Sequence, residues 1–135
     1  MAKVKWIPCD MWKRGIYVFI GTLKELTDWC FNKTKDTWSK DFLIMLGRLD
    51  ERNIGAASYN YDNDGTGVIL IPKMPNTPKE HAVLAHEILH SVFVMLDYCR
   101  VEYVQNSNNE TFTYLDEHIT RNALEKDGYI DAEKY

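Results

Sequence analysis

The sequence predicts one α+β domain over residues 1–135, in which a small twisted mixed sheet packs against at least two helices. Three observations carry this prediction. An apolar, β-branched and aromatic run at residues 15–21 is bounded by glycines and indicates a buried strand. Residues 56–71 have the pattern of a hairpin, and two well-capped amphipathic segments begin near residues 78 and 108.

The hairpin prediction rests on two strand-like runs, residues 56–61 and residues 66–71, that flank Asp-Asn-Asp-Gly at residues 62–65. An Asp-Gly step between such runs favours a tight turn. The same acidic turn is also similar to the start of a calcium-binding loop. The glutamate that closes such a loop is missing downstream, so a plain turn is the favoured interpretation.

The helices are predicted from their caps and from apolar spacing. Thr22 and Glu25 form a capping-box pattern that begins a helix ending near residue 32. Apolar residues spaced by three and four indicate a second helix over residues 37–50. Thr77, followed by Pro78 and Glu80, predicts a third helix over residues 78–98.

The last predicted helix begins with a second capping-box pattern, Ser107 and Glu110, and runs to about residue 127. Gly128 is expected to terminate it, because glycine commonly ends a helix. The polar segment at residues 129–135 is expected to be loosely held.

Composition limits which binding partners and which cellular compartment we expect. A net charge of −4 argues against a nucleic-acid or anionic-membrane binder, because both need a basic field. Cys9, Cys30 and Cys99 are scattered and form no Cys-x-x-Cys pair, which indicates reduced thiols. Without a signal-peptide pattern or a membrane-length apolar run, we expect a soluble cytoplasmic protein. The sequence indicates no oligomeric state.

The chemistry lies in the motif His86-Glu87-Ile88-Leu89-His90 on the third predicted helix. Two histidines four residues apart lie on one helix face, within reach of one ion. Zinc binds imidazole well, and catalytic zinc sites use three protein ligands and one water. Glu87 would lie beside the ion, where its carboxylate can act as the general base toward zinc-activated water. The alternative is two hydrogen-bonded core histidines beside a surface glutamate.

The sequence leaves the identity of the third zinc ligand open. Five downstream residues have suitable side chains: Glu102, Glu110, Asp116, Glu117 and His118. Glu110 also has a purely structural interpretation, in which it only closes the capping box of the last helix. His118 follows Glu110 by eight residues, about 80° round the helix, which favours a flanking or solvated histidine over a ligand. Tyr114 is one turn after Glu110; it packs in the core or donates a hydrogen bond to an oxyanion.

With His-Glu-x-x-His at residues 86–90 and Asn-Glu at residues 109–110, twenty residues after His90, the sequence resembles the gluzincins, the thermolysin-like zincin metallopeptidases. The short chain is similar to minigluzincins and to small HExxH peptidases of tailed phages and prophages. The phage proteins share Leu-Ala-His-Glu, here at residues 84–87, and a helix with the pattern Glu-aromatic-Tyr-Leu, here at residues 110–115. The resemblance covers roughly residues 69–124. It implies a zincin-like fold, one Zn²⁺ per chain, and Glu110 as the third ligand.

The resemblance also implies how a substrate binds and where this chain departs from the family. In zincins the strand before the metal helix is a sheet edge that pairs with extended substrate, and here that strand contains Val68, Ile69 and Leu70. Thermolysin-type enzymes have an aspartate four residues after the ligand glutamate, whereas this chain has Tyr114. The third histidine that metzincins place after their motif is missing after His90.

These observations predict a small cytoplasmic zinc metallopeptidase, in the host cytoplasm if the protein is of phage origin, acting on a peptide or protein substrate. The alternative, from another class, is a non-catalytic zinc-stabilised binding protein that captures a partner along the same edge. Hydrolysis of a non-peptide amide or ester is a third possibility that the motif permits.

Overall fold

A computed structural model describes residues 1–49, 57–60, 66–104 and 109–135. The predicted turn at residues 62–65 and the predicted cap Ser107 lie outside these residues. The strands are β1 (Lys3–Cys9), β2 (Arg14–Ile20), β3 (Ala57–Asn60), β4 (Gly67–Ile71) and β5 (Ile130–Asp131). The α-helices are α1 (Leu23–Asn32), α2 (Lys40–Arg48), α3 (Pro78–Tyr98) and α4 (Asn109–Leu124).

The strands form one mixed sheet in the order β3-β4-β2-β1-β5. The β2–β4 pair is parallel, while β1–β2, β3–β4 and β1–β5 are antiparallel. The predicted α+β class, the mixed sheet and the pairing of the two hairpin strands are therefore confirmed. Among the described helices, none combines the length and the apolar composition that crossing a bilayer requires.

The prediction that Val68, Ile69 and Leu70 form a sheet edge is wrong. These residues lie in β4, which is hydrogen-bonded on both sides, to β3 and to β2. Ile69, for example, is paired with Ser58 on one side and with Val18 on the other. The predicted hairpin is itself the reason, because its first strand covers the side that β2 leaves open.

Alternating side chains of β2 separate two cores, one on each face of the sheet. Tyr17 and Phe19 point toward α1 and α2, whereas Ile16 and Val18 point toward α3 and α4. This alternation follows from the two-residue period of a strand. The sheet is thus the middle of three layers, and the predicted packing of the motif helix and the Glu110 helix against it is confirmed.

The first two helices begin where their caps fix them. Thr22 and Glu25 form the predicted capping box of α1. α2 begins at Lys40, later than predicted, because the Ser39 side chain accepts a hydrogen bond from the backbone N–H of Phe42 at 3.1 Å. A serine in that role marks the residue before the first helical one.

α4 ends at Leu124, three residues before the predicted end, because a lysine from β1 binds its last carbonyls. The Lys5 ammonium donates hydrogen bonds to the carbonyl oxygens of Asn122 (2.6 Å) and Glu125 (3.0 Å). Helix-terminal carbonyls need such donors. Gly128 has a φ of 94° and lies beyond this terminus, in the connection to β5.

The expectation of a loose C-terminal segment is wrong. β5 extends the sheet beside β1, and Ala132 is buried. The Tyr135 hydroxyl is 2.7 Å from the hydroxyl of Tyr17, whose pKa is raised by burial and by this hydrogen bond. The polar composition of the segment does not reveal these contacts. Two residues that pair with β1 and the Tyr135 ring are enough to hold the segment in place.

Candidate functional site

The start of α3 sets the register of the motif. Thr77 Oγ1 accepts a hydrogen bond from the backbone N–H of Glu80 (3.2 Å), and Glu80 Oε1 accepts one from the N–H of Thr77 (3.0 Å). Pro78 occupies the first turn. This is the predicted capping box, and it satisfies N–H groups that a helix start leaves without partners.

One face of α3 is buried against the sheet and α4. Its fully or almost fully buried apolar residues are Leu84, Ile88, Val92, Met95 and Leu96. Burial of each such side chain contributes about 1.5–3 kcal/mol. Because this face is fixed in the core, the 3.6-residue period turns His86 and His90 outward.

His86 and His90 form a converging pair of exposed imidazoles. Their Nε2 atoms are 3.1 Å apart, with ring centroids at 4.7 Å and an interplanar angle of 79°. Two nitrogens bound to one tetrahedral zinc at about 2.0–2.1 Å are separated by roughly 3.3 Å. The two nitrogens are within hydrogen-bonding distance of each other, and their separation is also close to the spacing that a shared ion requires, so these residues can occupy two ligand positions.

Glu87 lies beside this pair and is largely buried. The residue is 8% exposed, and its Oε1 atom is 3.9 Å from His86 Nε2. No described residue donates a hydrogen bond to its carboxylate, although buried carboxylates normally require partners. The alternative of two core histidines beside a surface glutamate is wrong on both counts, because His86 has 67% of its side chain exposed and Glu87 is the buried residue.

The structure does not bring Glu110 to the histidine pair. Glu110 is exposed on the first turn of α4 and lines a cleft between α4 and residues 8–12. Within the described parts of the chain, no three His, Cys, Asp or Glu side chains are close enough together to hold a metal ion. Two of the three predicted ligands are therefore adjacent, and the third faces another cleft.

Tyr114 and His118 share this second cleft, which has a volume of about 470 Å³. His118 Nε2 donates a hydrogen bond to the carbonyl oxygen of Pro8 at 2.7 Å, so β1 holds the ring. Tyr114 is 66% exposed, and core packing is therefore the wrong interpretation of it. Among the described contacts, none joins either residue to His86 or His90.

Ser91 is a residue of this region that the sequence did not single out. It is fully buried, and its hydroxyl has no hydrogen-bond partner among the described residues. It follows Glu87 by four residues, which places both on one side of α3. Ser91 could have been found from the sequence, because it is a polar residue at a position of α3 that the apolar spacing predicts to be buried.

No family model, no curated protein and no solved structure matches this chain. The gluzincin resemblance therefore remains a prediction from the motif at residues 86–90 and from Glu110 twenty residues later. The site is defined by its own geometry: two exposed histidines whose nitrogens converge, and a buried carboxylate beside them.

Proposed function

We propose that the chain is a small zinc-dependent peptidase. The 3.1 Å separation of the His86 and His90 Nε2 atoms is the observation that carries this proposal. We propose Glu110 as the third ligand on the gluzincin spacing; because its carboxylate lines another cleft, binding the ion requires the first turn of α4 to move toward the histidine pair. A zinc ion held there would supply a Lewis acid that makes water nucleophilic near neutral pH.

Glu87 has the proton-transfer role in this proposal. Its carboxylate takes a proton from the attacking water as the carbon–oxygen bond forms. The same group then delivers that proton to the nitrogen of the leaving amine as the carbon–nitrogen bond breaks. Its position beside the pair and its burial support the assignment, because bulk solvent is largely excluded from the carboxylate.

The edge that would bind extended substrate is β3 rather than β4. β3 is the last strand in the described sheet order, and it contacts α3. A peptide added to the side of β3 that pairs with no described strand would run beside the helix that carries the histidines. Main-chain hydrogen bonds would give affinity there, as in other cases of strand addition.

The proposal is tested by cleavage of a broad peptide library. The wild type should cleave some of its members, and Glu87→Gln should lower the rate by orders of magnitude while zinc stays bound. Glu87→Asp is the matched variant, since it keeps the charge and shortens the reach by one methylene. Library cleavage by Glu87→Gln at the wild-type rate would refute the role of Glu87.

A zinc-stabilised binding protein is the second candidate. It is supported by the exposed apolar residues Leu89, Phe93 and Val94 on α3, because such residues on a helix surface can dock a partner. It predicts that the wild type cleaves no peptide of the library. It also predicts that Glu87→Gln binds the same peptides with unchanged affinity.

A further inference from the structure

A separate cleft of about 530 Å³ lies at the start of α3 and extends along the helix to Val83, one turn before the histidine motif. Its apolar lining consists of Ile71, Pro72, Pro75 and Val83. Val83 precedes His86 by three residues and Glu87 by four, so it lies on their side of the helix about one turn away. A substrate carbonyl at the histidines would thus have a neighbouring residue within reach of this cleft.

The wall of the cleft is held in place by Glu80. Its Oε2 atom pairs with the Lys73 ammonium at 2.9 Å, while Oε1 accepts hydrogen bonds from the N–H groups of Asn76 (3.1 Å) and Thr77 (3.0 Å). These bonds join the connector after β4 to the first turn of α3. The cleft is therefore preformed, which lowers the entropic cost of binding a ligand.

The charges around the cleft favour an anion. Lys73 is neutralised by Glu80, but Lys79 is exposed and pairs with no carboxylate among the described residues. The lining thus carries one cation in excess, on a chain with a net charge of −4. A cleft with apolar lining residues and the Lys79 ammonium is complementary to a ligand that carries a carboxylate on an apolar chain.

We propose that this cleft is a specificity site for a carboxylate-bearing residue of the peptide, one or two positions from the scissile bond. An extended chain advances about 3.3 Å per residue, so one or two residues span the roughly 5.4 Å of one helical turn between Val83 and the motif. The carboxylate can come from a glutamate side chain or from the C-terminus of the peptide. The inference rests on the proposed peptidase function, and its test is therefore a binding measurement that requires no hydrolysis.

The test is a methyl NMR titration of Glu87→Gln, which still carries the cleft, with matched capped hexapeptides that differ by glutamate or glutamine at one position. A third peptide has neutral side chains and a free C-terminus, so the source of the carboxylate is distinguished. We expect the Ile71 and Val83 methyl signals to shift. At least one carboxylate peptide should bind about threefold or more tightly than the neutral capped peptide.

Lys79→Glu in the same background should remove or invert this preference, because it replaces the attracting charge with a repelling one. Lys126→Glu is the matched control; it changes the net charge equally at an exposed residue outside the cleft and should preserve the preference. Equal affinities for all peptides, unshifted Val83 and Ile71 signals, or an unchanged preference in Lys79→Glu would overturn the inference.

The two proposals fail in different ways. Cleavage without any carboxylate preference would leave the peptidase standing and remove the specificity site. Carboxylate-dependent binding by a wild type that cleaves nothing would retain the site and favour the binding protein.

Discussion

The Nε2 atoms of His86 and His90 face each other at 3.1 Å on the exposed side of α3, and Glu87 between them is buried. The opposite, apolar face of the helix fixes this arrangement. Because the two nitrogens converge, the pair can provide two ligands to one ion once the hydrogen bond between the rings is broken. The remaining requirement is a third ligand, and we propose that Glu110 supplies it.

Glu87→Gln should retain zinc and should be at least as stable as the wild type. Glutamine has nearly the same shape, and it removes a charge from a site where no described residue donates a hydrogen bond to it. Thermal melts and metal analysis of the purified variant check this. A large loss of zinc would instead identify Glu87 as a ligand.

Glu110→Gln separates the ligand role from the capping role. If Glu110 only caps α4, the change should be nearly silent, because glutamine also serves in a capping box. If it is a ligand, a neutral amide replaces a carboxylate, and zinc affinity should fall by at least about tenfold. A zinc titration in competition with a chelator measures this change.

Glu117→Gln is the matched control on the same helix, at an exposed position, and it should leave zinc affinity unchanged. Unchanged affinity in Glu110→Gln would exclude Glu110 as a ligand. The gluzincin resemblance would then be wrong, while the His86–His90 pair would still stand.

Alanine substitution of Ser91 and of Ser39 should change the free energy of unfolding in opposite directions. Ser91→Ala removes a fully buried hydroxyl without a described partner, so it should raise the free energy of unfolding by about 1 kcal/mol. Ser39→Ala removes the cap that accepts the N–H of Phe42, and should lower it by about 1 kcal/mol. Chemical denaturation measures both, and destabilisation by Ser91→Ala would show that its hydroxyl has a structural role.

Glu80 should contribute an acid-sensitive part of the stability. The Lys73 ammonium and the N–H groups of Asn76 and Thr77 lower the pKa of Glu80 from 4.5 to about 2. Because the folded-state pKa is depressed, its contribution is present above pH 4.5 and is lost as the pH falls toward 2. Glu80→Gln should therefore lose less stability than the wild type across this interval in melts recorded against pH.

Two lysine variants test whether the acid dependence of stability comes from the contacts of Glu80. Lys73→Met removes the first cause of the lowered pKa and should reduce the same acid dependence. Lys24→Met breaks an exposed ion pair with Asp28 on α1 and should not alter it. Identical pH profiles for the wild type and Glu80→Gln would contradict the assignment.

The sequence predicts the parts of this fold that local chemistry determines. The capping boxes at Thr22 and Thr77 are visible because each pairs a hydroxyl with a glutamate three residues later. The start and register of α3 follow from the second box and from its apolar spacing. That His86 and His90 share one face of α3 could therefore be predicted, whereas the exposure of that face depends on tertiary packing.

The parts that depend on distant residues could not be predicted. β1 is not evident from the sequence, because Lys5 occupies a buried position of this strand and Pro8 interrupts its apolar residues; the reason for Lys5 lies in α4, more than a hundred residues away. The pairing of β4 with β3 could be predicted from the hairpin pattern, whereas its parallel pairing with β2, about fifty residues earlier, could not. The direction of the Glu110 side chain likewise depends on how α4 packs.

Zinc titration of the wild type and of four single histidine variants tests the central claim most directly. The wild type should bind about one zinc per chain, and His86→Ala or His90→Ala should lower the affinity by at least about tenfold. His81→Ala and His118→Ala should leave it unchanged, because these rings bind the backbone carbonyls of Thr77 and Pro8. Wild-type zinc affinity in both His86→Ala and His90→Ala would contradict the account.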